Sequence, residues 1–133
     1  MAAGDTCVVY AGTYPEDVTL TAGTAGGYKT LVANSGDMVY VLSFTIDSYN
    51  KIIGFHIQNP NNPTAKRCIN IGNAATNVYI TNNSMYACAG MLRSISSLGM
   101  PSYIFVQGNT MSYPCTTSNA STSNACAASR EMM

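Results

Sequence analysis

The chain has 133 residues, a length for one domain, and 47% of them are apolar, enough for a core of useful size. Charged side chains make up only 9%, against about 25% in an ordinary soluble domain, and six basic residues balance six acidic ones to a formal net charge of zero. With no field to draw in polyanions, and no apolar run near the roughly 18 to 20 residues of a membrane-spanning helix, this reading excludes nucleic acid and a membrane span.

At the start, Met1-Ala2-Ala3-Gly4-Asp5 lacks the basic and apolar regions of a signal peptide, while Gly4-Asp5-Thr6 reads as the entry into structure. Ser, Thr, Asn, Gly and Tyr fill the positions that charges usually hold. The expectation is an extracellular or particle-associated protein whose export signal is not present in this chain. Residues 5–33 then supply β-rich phrases: Thr6-Cys7-Val8-Val9-Tyr10, Val18-Thr19-Leu20-Thr21 and Tyr28-Lys29-Thr30-Leu31-Val32. Between them lie Ala11-Gly12-Thr13-Tyr14-Pro15 and Thr21-Ala22-Gly23-Thr24-Ala25-Gly26-Gly27, rich in turn residues.

From Val39 onward one eight-position phrase, apolar-x-apolar-x-x-(Phe or Asn)-x-apolar, occurs four times. Its copies are Val39-x-Val41-x-x-Phe44-x-Ile46, Asn50-x-Ile52-x-x-Phe55-x-Ile57, Val78-x-Ile80-x-x-Asn83-x-Met85 and Ile104-x-Val106-x-x-Asn109-x-Met111. The second copy is weakened by Asn50 at its first position. The step from Val39 to Asn50 is short, whereas those from Asn50 to Val78 and from Val78 to Ile104 are long and nearly equal. A repeat of that longer length marks units that bury their apolar faces by stacking on copies of themselves. Within a copy the first and third positions point to one face of a strand, the two x positions turn the chain, and the last residue points inward again. The prediction is an all-β chain: a right-handed parallel β-helix, a single-stranded solenoid of about four to five rungs, with Val78, Ile80, Met85, Val106 and Met111 inside. Asn83 and Asn109 hold equivalent turn positions in the third and fourth copies. Asn tolerates left-handed φ and can bond its amide to the copy in the next rung, so the two are expected to form an asparagine ladder; the plainer alternative is the ordinary Asn of a β-turn.

Between and after the copies the signals are weaker. Lys66-Arg67 follows Asn59-Pro60-Asn61-Asn62-Pro63 and reads as decoration of a protruding loop. Only Cys88 to Leu98 carries even a faint helical pattern. Beyond Cys115 the composition turns to Thr116-Thr117-Ser118-Asn119-Ala120-Ser121-Thr122-Ser123-Asn124-Ala125, with nothing periodic to bury. The expected organisation is therefore a β-helix over residues 4–114 and a polar, loosely ordered tail over 115–133.

Gly4-Asp5-Thr6-Cys7-Val8-Val9-Tyr10-Ala11-Gly12-Thr13-Tyr14, followed by Val18-Thr19-Leu20-Thr21 and Gly23-Thr24-Ala25-Gly26, resembles the opening of secreted right-handed parallel β-helix proteins of the pectate lyase-like superfamily. Ile52-Ile53-Gly54-Phe55-His56-Ile57-Gln58-Asn59 and Asn77-Val78-Tyr79-Ile80-Thr81-Asn82-Asn83-Ser84-Met85-Tyr86 look like its rungs. The resemblance covers most of residues 4–113 and speaks to fold, because the superfamily holds polysaccharide lyases, glycoside hydrolases, phage tail spikes, adhesins and modules without activity. Its lyases, the resemblance implies, use calcium-binding carboxylates with an Arg or Lys base, and its hydrolases use clustered aspartates. Here Asp5, Glu16, Asp17, Asp37 and Asp47 do not repeat at the rung spacing; Asp37 and Asp47 come nearest to a pair and read more plainly as turn residues. His56 has outward parity beside Phe55 and Ile57 and reads as a solvated side chain. No catalytic residue, metal or cofactor is assigned, since the lone His56 stands well before Cys68 and no cysteine pair has zinc spacing.

Tyr79 and Phe105 share the outward position after Val78 and Ile104 in consecutive copies, so their rings should lie one rung apart as a carbohydrate-binding strip; an aromatic stack covered by the tail is the alternative. The expected function is an extracellular non-catalytic module, structural and self-assembling or carbohydrate-binding. Polysaccharide would be its partner, or further copies of the chain through the solenoid ends or faces. A polysaccharide lyase or glycoside hydrolase, or a fragment of one, is the alternative. Asn82-Asn83-Ser84 and Asn119-Ala120-Ser121 match the glycosylation sequon.

Five cysteines, Cys7, Cys68, Cys88, Cys115 and Cys126, leave at least one unpaired within the chain. Cys88 and Cys115 follow Met85 and Met111 at nearly the same contour position of consecutive rungs, a geometry that permits a disulfide. Two stacked free cysteines, or Cys126 as partner of either, are the alternatives.

Overall fold

A computed structural model describes residues 1–58, 67–88, 92–94 and 99–112, the segment 92–94 by its backbone alone. The described residues form twelve strands and no helix: β1 (Thr6–Val9), β2 (Gly12–Thr19), β3 (Lys29–Ala33), β4 (Val39–Ile46), β5 (Asn50–Ile53), β6 (His56–Gln58), β7 (Ile69–Ile71), β8 (Thr76–Thr81), β9 (Ser84–Tyr86), β10 (Leu92–Ser94), β11 (Ser102–Gln107) and β12 (Thr110–Ser112). Every pairing between these strands is parallel. One sheet runs β1-β3-β5-β8-β11; the other holds β10-β7-β4-β6-β9-β12, with β2 against β4. This is a parallel β-solenoid.

The second, third and fourth copies of the eight-position phrase lie in register. Ile52 pairs with Ile80 and Ile80 with Val106 in the first sheet, while Ile57 pairs with Met85 and Met85 with Met111 in the second. Between the two strands of each copy the chain turns a corner on a left-handed residue, Gly54 (φ 83°), Asn82 (φ 56°) or Gly108 (φ 68°). A Cβ at Gly108 would also meet the Asn82 side chain of the rung before, so glycine is favoured there on two counts.

The first copy turns a different corner. Val39–Ile46 is one unbroken strand whose buried parity slips between Ser43 and Phe44, both of them inside. Its leading half pairs with β6 (Tyr40 with His56, Val41 with Ile57) and its trailing half with β7 (Phe44 with Ile69, Ile46 with Ile71). The phrase thus encodes a bend between any two faces rather than a fixed point on the rung. This is why its first spacing, from Val39 to Asn50, is too short for a turn of the coil.

The solenoid has about three turns, fewer than the four to five expected. The end rungs account for the difference. In β1 none of the side chains is buried, and in β11 most are exposed. Val106 shares the inward column of Ile52 and Ile80, both fully buried, yet stands 40% exposed in the outermost described rung. Val78, Ile80 and Met85 are fully buried and Met111 nearly so, in a core completed by Val39, Phe44, Ile46, Phe55, Ile57 and Ile69. Phe55, at the turn position that Asn83 and Asn109 hold in later rungs, packs edge to face on Phe44 with ring centroids 5.1 Å apart. Within the faint helical pattern from Cys88 to Leu98, Leu92–Ser94 is the strand β10, paired with β7, while residues 89–91 and 95–98 lie outside the described residues. The expected tail at 115–133 and Lys66 of the expected loop lie outside the described residues.

Candidate functional site

Parallel strands in register bring equivalent side chains together at the strand spacing, about 4.8 Å, so an outward column on the first sheet becomes a continuous surface stripe. Pairing places Thr30, Lys51, Tyr79 and Phe105 in one such column. Tyr79 and Phe105 stack face to face, with centroids 4.6 Å apart and planes 10° from parallel. Offset stacking of this kind adds about 0.5 to 1.5 kcal/mol beyond area burial.

The stripe is wider than the two residues legible in the repeat. Tyr28, just before β3, meets both Tyr49 and Tyr79 edge to face at 5.6 Å. The Lys51 ammonium sits 4.5 Å from the Tyr28 ring centroid and 5.1 Å from that of Tyr79. A cation over two aromatic faces is held by their quadrupoles while its stem covers apolar surface. Partial desolvation, then the neighbouring Tyr79, push the Tyr28 phenol above its ordinary pKa. The result is a rigid surface of four rings and one ammonium, with Phe105 at its open end 45% exposed.

Sequence reading missed Tyr28, Tyr49 and Lys51 because the rung lengths differ. Along the column the steps through the chain are unequal, shortest from Thr30 to Lys51 and longest from Lys51 to Tyr79, so no single period aligns Thr30, Lys51, Tyr79 and Phe105. Tyr49 also takes a left-handed turn (φ 57°), as do Asn77 (φ 57°) and Tyr103 (φ 53°) at the matching corners of later rungs.

The turn asparagines line up beneath this sheet. Asn83 Nδ2 donates to Asn109 Oδ1 at 3.1 Å and to the Ile52 carbonyl at 3.0 Å, while its Oδ1 accepts from the Phe55 amide at 3.0 Å. Asn109 Nδ2 donates to the Ile80 carbonyl at 2.7 Å. Asn50 is fully buried too: its Oδ1 accepts from the Asp47 amide at 2.9 Å and its Nδ2 donates to the Thr21 carbonyl at 3.2 Å. What weakens Asn50 as an apolar position makes it a corner tie.

The carboxylates are dispersed. Asp37 accepts from the Ala11 amide at 3.0 Å and from Asn34 Nδ2 at 3.1 Å, Asp47 from the Ser48 amide at 2.7 Å, and Asp17 from Ser43 Oγ at 2.6 Å. Among the described residues no three His, Cys, Asp or Glu side chains gather as a metal site would require. His56 points outward, its ring 5.1 Å from that of Tyr40. Lys29, unremarked in the sequence, lies on the buried side of β3 with its Nζ donating to Thr21 Oγ1 at 2.6 Å.

The bridge expected between Cys88 and Cys115 is corrected. Cys88 is bonded to Cys68, with Cα atoms 5.5 Å apart and both residues buried. Each lies at a strand end in neighbouring rungs, Cys68 just before β7 and Cys88 just after β9, so the pairing follows contour position after all. The unequal numbers of residues from β6 to Cys68 and from β9 to Cys88 hid that from residue arithmetic. Cys7 is free and exposed, while Cys115 and Cys126 lie outside the described residues.

Comparison with known proteins gives no match to the chain among family models, curated proteins or solved structures.

Proposed function

We propose that the protein is an extracellular, non-catalytic carbohydrate-binding module of the β-helix type, with the stripe of Tyr28, Tyr49, Lys51, Tyr79 and Phe105 as its sugar platform. The observation that carries this reading is the Tyr79–Phe105 stack, 4.6 Å between centroids, continued by the Lys51 cation. Flat apolar rings offer a surface to the C–H faces of a pyranose, and phenol and ammonium groups at the edges supply hydrogen bonds to its hydroxyls. Because the rings already hold one another in place, little side-chain entropy remains to be lost on binding. The likeness to pectate lyase-like rungs supports a polysaccharide as partner. The carboxylates, bonded to turn amides and a serine hydroxyl, support a framework role for them rather than acid-base work. A disulfide between buried cysteines is what an oxidising compartment produces, which supports the extracellular placement.

The test is titration with neutral and acidic oligosaccharides, followed by tyrosine emission, which no tryptophan obscures because the chain has none. Binding is expected to be lost in Tyr79→Ala and in Phe105→Ala with circular dichroism unchanged. Binding that survives both changes, or no binding to any member of a broad glycan panel, overturns the reading.

A further inference from the structure

The rings of the stripe are not equally open. Tyr79 has Lys51 on one side of it in the column and Phe105 on the other, so both its faces are taken: the ammonium lies 5.1 Å from its centroid and the Phe105 ring stacks at 4.6 Å. Phe105 has one face on Tyr79 and is 45% exposed all the same, which leaves its outer face to solvent. The open aromatic face therefore belongs to β11, and β11 carries a row of its own. Gln107 follows Phe105 by two residues, is exposed, and shares its side of the strand. Tyr103 precedes Phe105 by two residues, at the left-handed corner (φ 53°) that Tyr49 and Asn77 hold in earlier rungs. Tyr49 shows which way such a corner points, since its ring meets Tyr28 beside the stripe. Asparagine sits in a left-handed turn at little cost, and a bulky tyrosine does not. Tyr49 offsets that cost by packing on Tyr28, whereas Tyr103 is 71% exposed. Backbone strain that burial does not offset is characteristic of ligand-holding positions.

We infer that sugar is bound along β11, on Tyr103, the outer face of Phe105 and Gln107, and that the ligand is an uncharged glycan. This rests on the carbohydrate reading and narrows it, from a platform along the column to a site across the end of the stack. Tyr103 to Gln107 spans at most about 13 Å of extended strand, room for a short run of sugar units. Phe105 offers its face to the C–H groups of one unit, while the Tyr103 hydroxyl and the Gln107 amide, each both donor and acceptor, meet hydroxyls to either side. Charge selects the ligand. Ser102–Ser112 holds no charged residue. Lys51 stands two strands from Phe105, about 9.6 Å, which is about one Debye length at 0.1 M salt, and the Tyr79 ring lies between. A carboxylate or sulfate set on Phe105 would lose water and meet no cation in its place.

The experiment is calorimetric titration of the full chain, at low and at high salt, with two panels of defined linear oligosaccharides. One panel is uncharged, with glucose, xylose, mannose and galactose oligomers, and the other is acidic, with galacturonate oligomers. The expected result is binding to an uncharged member, independent of salt, and weakened about tenfold in Tyr103→Asn and about fivefold in Gln107→Ala. Tyr103→Asn places at this corner the residue type of the corner before it, so its urea midpoint should equal or exceed that of the unaltered chain. A merely structural Tyr103 would lower the midpoint instead. Binding confined to acidic members and weakened by salt, or uncharged binding indifferent to Tyr103→Asn, overturns the inference and leaves the carbohydrate reading standing. No binding to either panel overturns both. Should a variant fail to fold, labelled-tyrosine resonances of the unaltered chain decide: the Tyr103 ring signal shifts during titration if the ligand lies along β11, and its constancy overturns the inference.

Discussion

Asn83 bonds Asn109 twice: its backbone N–H and its side-chain Nδ2 both donate to Asn109 Oδ1, at 2.9 and 3.1 Å. The pair links two rungs at the corner where the sheet ladder is interrupted, so it serves in place of the strand bonds lost at the bend. Asn83 is 2% exposed, and Asn83→Ala strands the Phe55 amide and the Ile52 carbonyl and leaves Asn109 Oδ1 with the backbone N–H alone. At about 1 to 3 kcal/mol for each buried group left unpaired, and with water reaching part of the site, the loss should be about 3 to 5 kcal/mol in urea unfolding. Asn109→Ala, in the outermost described rung where water can reach the stranded groups, should cost about 1 to 2 kcal/mol. Equal losses at the two positions would show that the ladder does not work through burial.

Phe55 raises the opposite question, whether the ladder would gain from another asparagine. Phe55→Asn offers new hydrogen bonds worth about 1 kcal/mol net each, yet it removes a ring that is 1% exposed and packed on Phe44. Emptying such a site costs about 3 to 5 kcal/mol. Packing should win, and the variant should unfold at lower urea concentration by about 2 to 4 kcal/mol. A neutral or stabilising change would mean that the Phe44 ring collapses into the vacated volume.

What the sequence shows clearly is whatever repeats within one strand and its corner. Ile52, Ile80 and Val106 share a column because the pleat and the turn are local, and the same holds for Ile57, Met85 and Met111. What it hides depends on the lengths of the connections between faces. Lys51 sits beside Tyr79 and not beside some residue one fixed period away, because the rung before it is shorter than those after. Val106 has the pattern of a core residue and the exposure of a surface one, since a repeat states direction and not depth of burial.

The Cys68–Cys88 bond closes a sequence separation of 20 residues that includes β7, β8 and β9. In the chain-entropy account a loop of that size restrains the unfolded state by about 3 kcal/mol. Digestion without reductant should release a peptide linking Cys68 to Cys88 and none linking Cys88 to Cys115. Cys88→Ser should lower stability by about 3 kcal/mol relative to the oxidised chain and have far less effect in the presence of reductant. Because both cysteines are buried, alkylation of the native protein in mild reductant should follow the unfolding rate rather than the reagent concentration.

Alkaline pH should act on the aromatic stripe through Tyr28. Its phenol is raised above the ordinary tyrosine pKa by desolvation first and by Tyr79 second, so the folded chain holds this proton more tightly than the unfolded chain does. The folded state then gains stability that is fully present below the unfolded pKa of about 10, and it loses that gain as pH rises through the higher folded value. Stability should therefore fall with pH above about 10, and Tyr28→Phe, which has no proton to release, should flatten that part of the curve. Ring-carbon chemical shifts of labelled tyrosine give the direct check: the Tyr28 resonance should titrate above the ordinary tyrosine value of about 10. Titration of Tyr28 at the ordinary tyrosine value would place it in water and remove it from the stripe.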